Sequence, residues 1–456
     1  MKLEGCKSLT EVPNFSGMFP RLKSISLCCC TSLVELHPSL GSLEKLVDIN
    51  LKGCHKLTMF PSIDNATSLR SIDLSLCYRL KHFPEIKEKV ESLTELHLCN
   101  TDIKELPSSI DNLISLKKLY LGRCRRLAQI PQSIYNLQKL QNFWFAHCPK
   151  LVTFPNTMNL LPTNPNVPDD EYGSIPESDD EVCLRLPKLR LFNAAGCNLW
   201  ETDFLFVRLE LLELVGCKRL REIPELPPSM RILDATDCVS LERIANISNI
   251  LEQKESNMPV IRMNLTNCRK LCDTLAQDVE TMKRRLLINE ATLFSLCLSH
   301  MQSPFQVVFA ASDVPEWFRC QMEFTEGFPF YEFSMEILPH LPLEKTGLVI
   351  SIAVEKAESS SHHHSYECSF QISFSSDHSL GRGGFAWKID TRESSHAFMY
   401  YYPFTELQPL IDIIPLPFTF QVTIESPLTD SYIRGRRRIK SCGVHLVMPP
   451  NEDVSI

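Results

Sequence analysis

The stretch "LKKLYLGRCRRLAQIPQSIYNLQKL" (116–140) decides how this chain folds, because its leucine skeleton with a cysteine at a fixed offset returns along the sequence. The pattern L-x-x-L-x-L-x-x-C reads Leu116, Leu119, Leu121, Cys124 here. It reads Leu46, Ile49, Leu51, Cys54 and Leu69, Ile72, Leu74, Cys77 upstream, and Leu140, Phe143, Phe145, Cys148 downstream. The anchor positions Cys6, Cys30, Cys54, Cys77, Thr101, Cys124 and Cys148 are spaced 24, 24, 23, 24, 23 and 24 residues. A looser run follows at Cys197, Cys217, Cys238 and Cys268, and most anchors are followed seven residues later by proline, as at Pro13, Pro61, Pro84, Pro131, Pro155 and Pro224.

A period of about 20–29 residues with this skeleton is the leucine-rich repeat. L-x-L puts two apolar side chains on one face of a short strand, because strand side chains alternate. The next residues turn the chain inward, and the L-x-x-L-P segment returns it along the outer side. A single coil cannot bury its apolar face, so neighbouring coils supply the core. The expected fold is an α/β leucine-rich-repeat solenoid, a horseshoe.

Ten of the nineteen cysteines occupy the anchor. Many such repeats carry asparagine there, bonding neighbouring backbone from inside the turn, a role a small buried thiol can approximate. No C-x-x-C pair exists, and stacked single cysteines lack zinc-ligand spacing. Equal-phase cysteines on adjacent coils lie about 5 Å apart, so an oxidising compartment would scramble them. The expectation is structural thiols in an intracellular protein.

Composition bounds the function. The 456 residues leave room for two or three domains. A hydrophobic fraction of 44% supports a real core, and a net charge of −8 argues against a general nucleic-acid binder. No apolar run suits a membrane span, and "MKLEGCKSL" is no signal peptide. Met1 and Leu3 already stand at strand positions of a first coil, with no polar cap ahead of them, so the chain reads as the C-terminal portion of something longer.

Repeats are expected over 1–155, interrupted by an acidic, proline-rich insertion at 156–184. The stretch "NTMNLLPTNPNVPDDEYGSIPESDDEV" has no Lys or Arg and reads as an exposed loop. Irregular repeats follow over 185–270. A helical connector is expected at 271–300, with Asp273 as N-cap. Short β-rich runs over 301–450, among them "FQVVFAA", "FYEFSMEIL", "GLVISIAVE", "YECSFQISF", "HAFMYYYPF", "FTFQVTIES" and "IKSCGVHLVM", suggest an all-β sandwich or jelly roll. Within it, "SSSHHHSYE" reads as a solvated hairpin loop rather than a metal site, and "SDVPEWFRCQ" as a packing corner. "RGRRRIK" (434–440) reads as a solvated approach to a strand, with a phosphate or nuclear-import patch as the alternative.

The repeats, with "LCNTDIKELPSSIDNLISLKKLYLGRC", resemble the repeat domain of plant TIR-type nucleotide-binding leucine-rich-repeat immune receptors. "FAASDVPEWFRCQ" and "IKSCGVHLV" resemble the jelly-roll and Ig-like domain that follows those repeats in that family, although Ala310-Ala311 stands where relatives tend to have Pro-Gly. The resemblance implies an effector-sensing region of an intracellular receptor, cytoplasmic or nuclear. Its TIR and nucleotide-binding domains are expected upstream in a full-length protein. No G-x-x-x-x-G-K is present. With no nucleophile elbow or metal pattern either, the chain is expected to be no enzyme and to need no cofactor.

The residues themselves sharpen the binding expectation. The position between the last two apolar residues of each coil should point out of the concave sheet: Ser26, Asn50, Asp73, His97, Tyr120, Trp144, Asn193, Glu213, Asp234. His97, Tyr120 and Trp144 fall on consecutive coils about 5 Å apart, and Lys118 and Asn142 join them from the neighbouring outward column. Exposed aromatics on a polar sheet suit protein recognition. The competing reading is that another segment of the chain covers them. The function classes are therefore an immune-receptor sensor, a standalone scaffold for an endogenous protein, and an enzyme, for which the sequence offers little. An extracellular ectodomain, with sequons at Asn65, Asn246 and Asn264, ranks below these because the unpaired cysteines oppose secretion.

Overall fold

A computed structural model describes residues 1–15, 19–63, 65–155, 186–199, 206–245, 262–265, 268, 270–271 and 318, together with the strands between 305 and 447. The chain divides into two compact units, Met1–Pro227 and Pro228–Ile456. The acidic insertion and the helical connector fall outside the described residues, the connector's first residue, Leu271, excepted.

Unit 1 carries three-residue strands one coil apart: β1 (Ser24–Ser26), β2 (Asp48–Asn50), β3 (Ser71–Asp73), β4 (Glu95–His97), β5 (Lys118–Tyr120), β6 (Asn142–Trp144), β7 (Leu191–Asn193) and β8 (Leu211–Glu213), followed by the two-residue β9 (Glu222–Ile223). β1 to β8 pair in parallel in chain order, in phase, so that Ile49, Ile72, Leu96, Leu119, Phe143 and Phe192 form one buried row. The first coil begins at Met1, whose carbonyl accepts from the Ser26 N–H at 2.9 Å. β6 pairs directly with β7 although their anchors, Cys148 and Cys197, are 49 residues apart, so the described sheet has no strand between them.

After each strand the residue before the anchor takes a left-handed backbone: Gly5, Cys29, Gly53, Leu76, Asn100, Arg123, His147, Gly196 and Gly216 all have positive φ. This kink turns the chain so that the anchor side chain enters the coil. A non-glycine residue there costs about 1–2 kcal/mol, which four of the coils avoid with glycine.

The anchor thiols then do what the sequence suggested. Cys30, Cys54, Cys77, Cys124, Cys148 and Cys197 each donate to a carbonyl of the preceding coil, those of Leu3, Leu27, Leu51, Leu98, Leu121 and Phe145, at 3.0 to 3.3 Å. Thr101 differs, donating to Leu98 within its own coil at 2.8 Å. Burial pushes the Cys54 thiol up to about 12 and Cys99 up to about 11, and raises Cys77 as well. With folded values above the ordinary 9, the unfolded chain loses these three protons first, so the stability these thiols contribute is full below pH 9 and is lost as pH rises toward 12. A thiol reagent at pH 8 without reductant should therefore find exposed Cys6 and Cys29 at once and the buried ladder only after denaturation. Ladder cysteines that stay unreactive in denaturant until reduced would mean disulfides and overturn this picture.

The return segments correct one expectation. Those of the second, fifth and sixth coils are 3₁₀ turns (Pro38–Ser42, Ile110–Asn112, Gln132–Asn136), not the α-helices an α/β solenoid implies. A 23- or 24-residue coil leaves few residues on its outer side, and proline removes a donor at or just before each turn. Serines in these segments clip adjacent coils together: Ser39 Oγ accepts from the Phe15 N–H and Ser109 Oγ from the Ile86 N–H, each at 2.9 Å. Neighbouring turns are close enough that a Cβ on Gly41 would lie 1.7 Å from the Ser62 carbonyl oxygen. Gly41→Ala should cost about 1–3 kcal/mol as adjacent backbones are forced apart. An unchanged urea midpoint would mean the coils give way freely there.

Unit 2 begins with β10 (Ile232–Asp234), β11 (Arg243–Ile244) and β12 (Arg262–Asn264). Longer strands follow: β13 (Phe305–Ala310), β14 (Cys320–Glu323), β15 (Phe330–Ile337), β16 (Gly347–Val354), β17 (His364–Phe374), β18 (Ser379–Ile389), β19 (His396–Pro403), β20 (Phe418–Glu425) and β21 (Ile439–Val447). One sheet runs β10-β12-β13-β19-β16-β21-β14, parallel as far as β13 and antiparallel beyond it. A second, wholly antiparallel, runs β15-β20-β17-β18. Each β-rich run named from the sequence holds a strand, while β14 and β18 were not anticipated. His364 opens β17 instead of lying in a loop; His362 and His363 are outside the described residues. Of the "SDVPEWFRCQ" corner, Phe318 is buried with its ring 5.6 Å from that of His445, and Cys320 and Gln321 begin β14. Residues 434–438 of the basic run are outside the described residues, and Ile439 and Lys440 start β21.

Candidate functional site

The position between the last two apolar residues of a coil has a recurrent occupant. In four coils it is Asn or Asp, whose side chain folds back on the chain: Asn50, Asp73, Asn193 and Asp234 each accept, through Oδ1, the backbone N–H two residues on, at 2.9 to 3.1 Å. These Asx turns satisfy a backbone donor at the kink. Not every member points to solvent, contrary to the sequence expectation. Ser26 is buried and donates to Glu4 at 2.7 Å, and Asn193 is buried and donates to Glu213 in the next coil. Pairing across coils pulls short polar side chains down onto the sheet.

His97, Tyr120 and Trp144 depart from this pattern. Each replaces the cap with a ring that makes no such bond among the described residues. β4, β5 and β6 hold them opposite one another in register. The His97 and Tyr120 rings stack at 4.6 Å and 21°, and Tyr120 meets Trp144 at 6.3 Å and 53°. Exposure rises along the ladder, from half-buried His97 and Tyr120 to Trp144 at 40%. Their strand neighbours Phe143 and Phe145 are fully buried, so alternation sorts the aromatics into an inner and an outer set.

Lys118 and Asn142 stand in the adjacent column, both half-buried, in register with Glu95. Glu95 was missed from the sequence, although the same reading of "LTELHL" places it beside Lys118. Lys118 Nζ donates to Glu95 Oε1 at 2.9 Å; the bond and the opposite charge raise the lysine's pKa and lower the carboxylate's. Glu95 Oε2 also lies 3.5 Å from His97 Nε2. The pair holds Lys118 along the strand face, beside the ladder.

Comparison with known proteins fits this architecture. Residues 65–261, which span the ladder, match the family described as "Disease resistance protein RPS4B-like, leucine-rich repeats". The chain is 29% identical over 315 residues to Disease resistance protein RPS4B of Arabidopsis thaliana, covering 66% of this chain and 25% of that one. Over 66% of its length the chain is homologous to a plant disease resistance protein. It is also similar to Disease resistance protein RPS6 of Arabidopsis thaliana (29% identical, 63% of this chain, 27% of that one). The TMV resistance protein N of Nicotiana glutinosa is 24% identical over 70% of this chain and 32% of its own length. The chain thus spans about a quarter to a third of the curated relatives it matches. Among the described residues, no helix is long and apolar enough to cross a membrane.

Proposed function

We propose that this chain is the recognition region of an intracellular plant innate immune receptor, and that its concave repeat face binds a pathogen effector or a guarded host protein. The observation that carries the reading is the His97–Tyr120–Trp144 ladder, which stands where four other coils use the position for a turn cap. Giving up a cap forgoes about 1 kcal/mol per coil, which ring stacking along the ladder offsets only where two rings face each other. Large rings on a rigid sheet, with Trp144 40% exposed, suit the centre of a protein interface. The two sheets of unit 2 are read as a jelly-roll or Ig-like domain that contributes to recognition. Upstream TIR and nucleotide-binding domains would carry the signal in a full-length receptor, in the cytoplasm or nucleus.

Co-immunoprecipitation of the intact chain with candidate effectors, expressed together in leaf tissue, tests the reading. The parent chain should retain a partner that Trp144→Ala releases; a partner held equally by both, through every candidate, would move binding off this face. The chain alone is expected to be no catalyst. Purified protein that cleaves NAD or hydrolyses ATP faster than a denatured control would remove it from the binding class.

A further inference from the structure

Beyond the concave face, the turn edge of the fourth to sixth coils holds a cavity of about 390 Å³ lined by Tyr78, Asn100, Thr101, Asp102, Arg123 and Arg125. The repeat explains why these residues converge. Asn100 and Arg123 occupy the left-handed position before the anchor, with φ of 56° and 61°. Tyr78, Asp102 and Arg125 occupy the position just after it. Two columns of side chains, repeated at the coil spacing of about 5 Å, therefore flank one opening.

The charges in this lining do not balance. The one carboxylate, Asp102, accepts from Arg126 Nη1 at 3.0 Å and is already neutralised. Arg123 and Arg125 have no ion pair among the described residues, and both are exposed at the opening. Tyr78 adds a phenol, its ring held 4.9 Å from that of His55, and Asn100 adds an amide. The lining is thus rich in donors and short of acceptors. One guanidinium fork saturates a carboxylate by a bidentate pair, whereas two forks with a phenol and an amide call for a group presenting three or more charged oxygens.

We propose that this turn-edge cavity is a phosphate-binding site, taking the phosphate group of a small phosphate ester or of a phosphorylated protein through Arg123 and Arg125. It is separate from the aromatic ladder and does not depend on it. Titration of the intact chain with inorganic phosphate, against chloride at equal ionic strength, tests it. Saturable phosphate binding is expected, weakened about ten-fold or more in Arg123→Gln/Arg125→Gln, since charge-assisted bonds are lost. Arg21→Gln, an exposed charge elsewhere, should bind as the parent does. Gln keeps a side chain at both positions, and if the double variant fails to fold, each single variant is read the same way. A phosphoserine peptide bound about ten-fold more tightly than phosphate, or about 1.4 kcal/mol, would place the source in a protein; equal affinity would place it in a small ester. Phosphate no better than chloride, or arginine variants that bind like the parent, would overturn the site.

Discussion

Phe145→Ala is expected to cost this protein about 3–5 kcal/mol, the ordinary price of emptying a buried aromatic site. Phe143, Phe145, Phe154, Phe192 and Phe206 form one cluster inside the coils that flank the 49-residue gap between anchors. Phe145 lies edge-on to Phe192 at 5.0 Å and 85° and stacks on Phe154 at 5.9 Å and 18°. Such pairs add about 0.5–1.5 kcal/mol beyond area burial. Earlier coils hold leucine at this position, as at Leu51, Leu74, Leu98 and Leu121, while the next coil holds the small Ala194. Phenylalanine supplies the extra volume where β6 must join β7 across a long insertion. In a solenoid each coil leans only on its neighbours, so damage here should also uncouple the coils on either side. Urea unfolding of Phe145→Ala should show a lower midpoint and a broadened transition. Phe145→Leu should lose less than about 1.5 kcal/mol. A loss below about 1 kcal/mol for the alanine variant would mean the cluster is not a stability centre.

The repeat was legible because its signal is redundant. Leucine spacing, anchor thiol and proline offset agree coil after coil, and each reports a separate physical need: a buried strand face, a bonded turn interior and a stopped return segment. The 3₁₀ turns were not, since nothing in L-x-x-L-P distinguishes one tight turn from a helical one. In unit 2, β18 escaped notice because "SLGRGGFAWKI" carries three glycines, a composition that opposes strand by propensity. Its long antiparallel pairing with β17 overrides that preference. β14 has only four residues, too few to show alternation.

The site was half legible. Alternation alone puts His97, Tyr120 and Trp144 outward, and register stacks them. What it could not give is the role of the column they interrupt. That Asn50 and Asp73 bond the backbone two residues on is a matter of turn geometry, and only beside those caps do the rings stand out as a departure. The same cause hid the burial of Ser26 and Asn193, because a short polar side chain follows whichever partner the next coil offers. Glu95 shows the opposite failure. Its place was implied by the pattern, but its effect on Lys118 is a distance, and no spacing rule supplies that.

Trp144→Ala should therefore behave unlike its neighbour Phe145→Ala, though the two are adjacent in sequence. The indole is 40% exposed and caps no turn, and its ring lies against that of Tyr120. Its removal should leave the urea midpoint within about 0.5 kcal/mol of the parent, as at other surface positions. Binding is where the loss should fall. Truncating a central aromatic of a recognition surface costs about 2 kcal/mol or more, near thirty-fold in Kd. Tyr120→Ala should follow with a smaller loss, since its ring is half-buried between His97 and Trp144. Arg21→Gln, an exposed charge away from the ladder, serves as the control and should bind as the parent does. Calorimetry with a partner captured by the parent chain measures the loss, and thermal melting separates it from instability. If Trp144→Ala melts as early as Phe145→Ala, the ring is packed beneath another segment, and the concave face has no exposed anchor to offer.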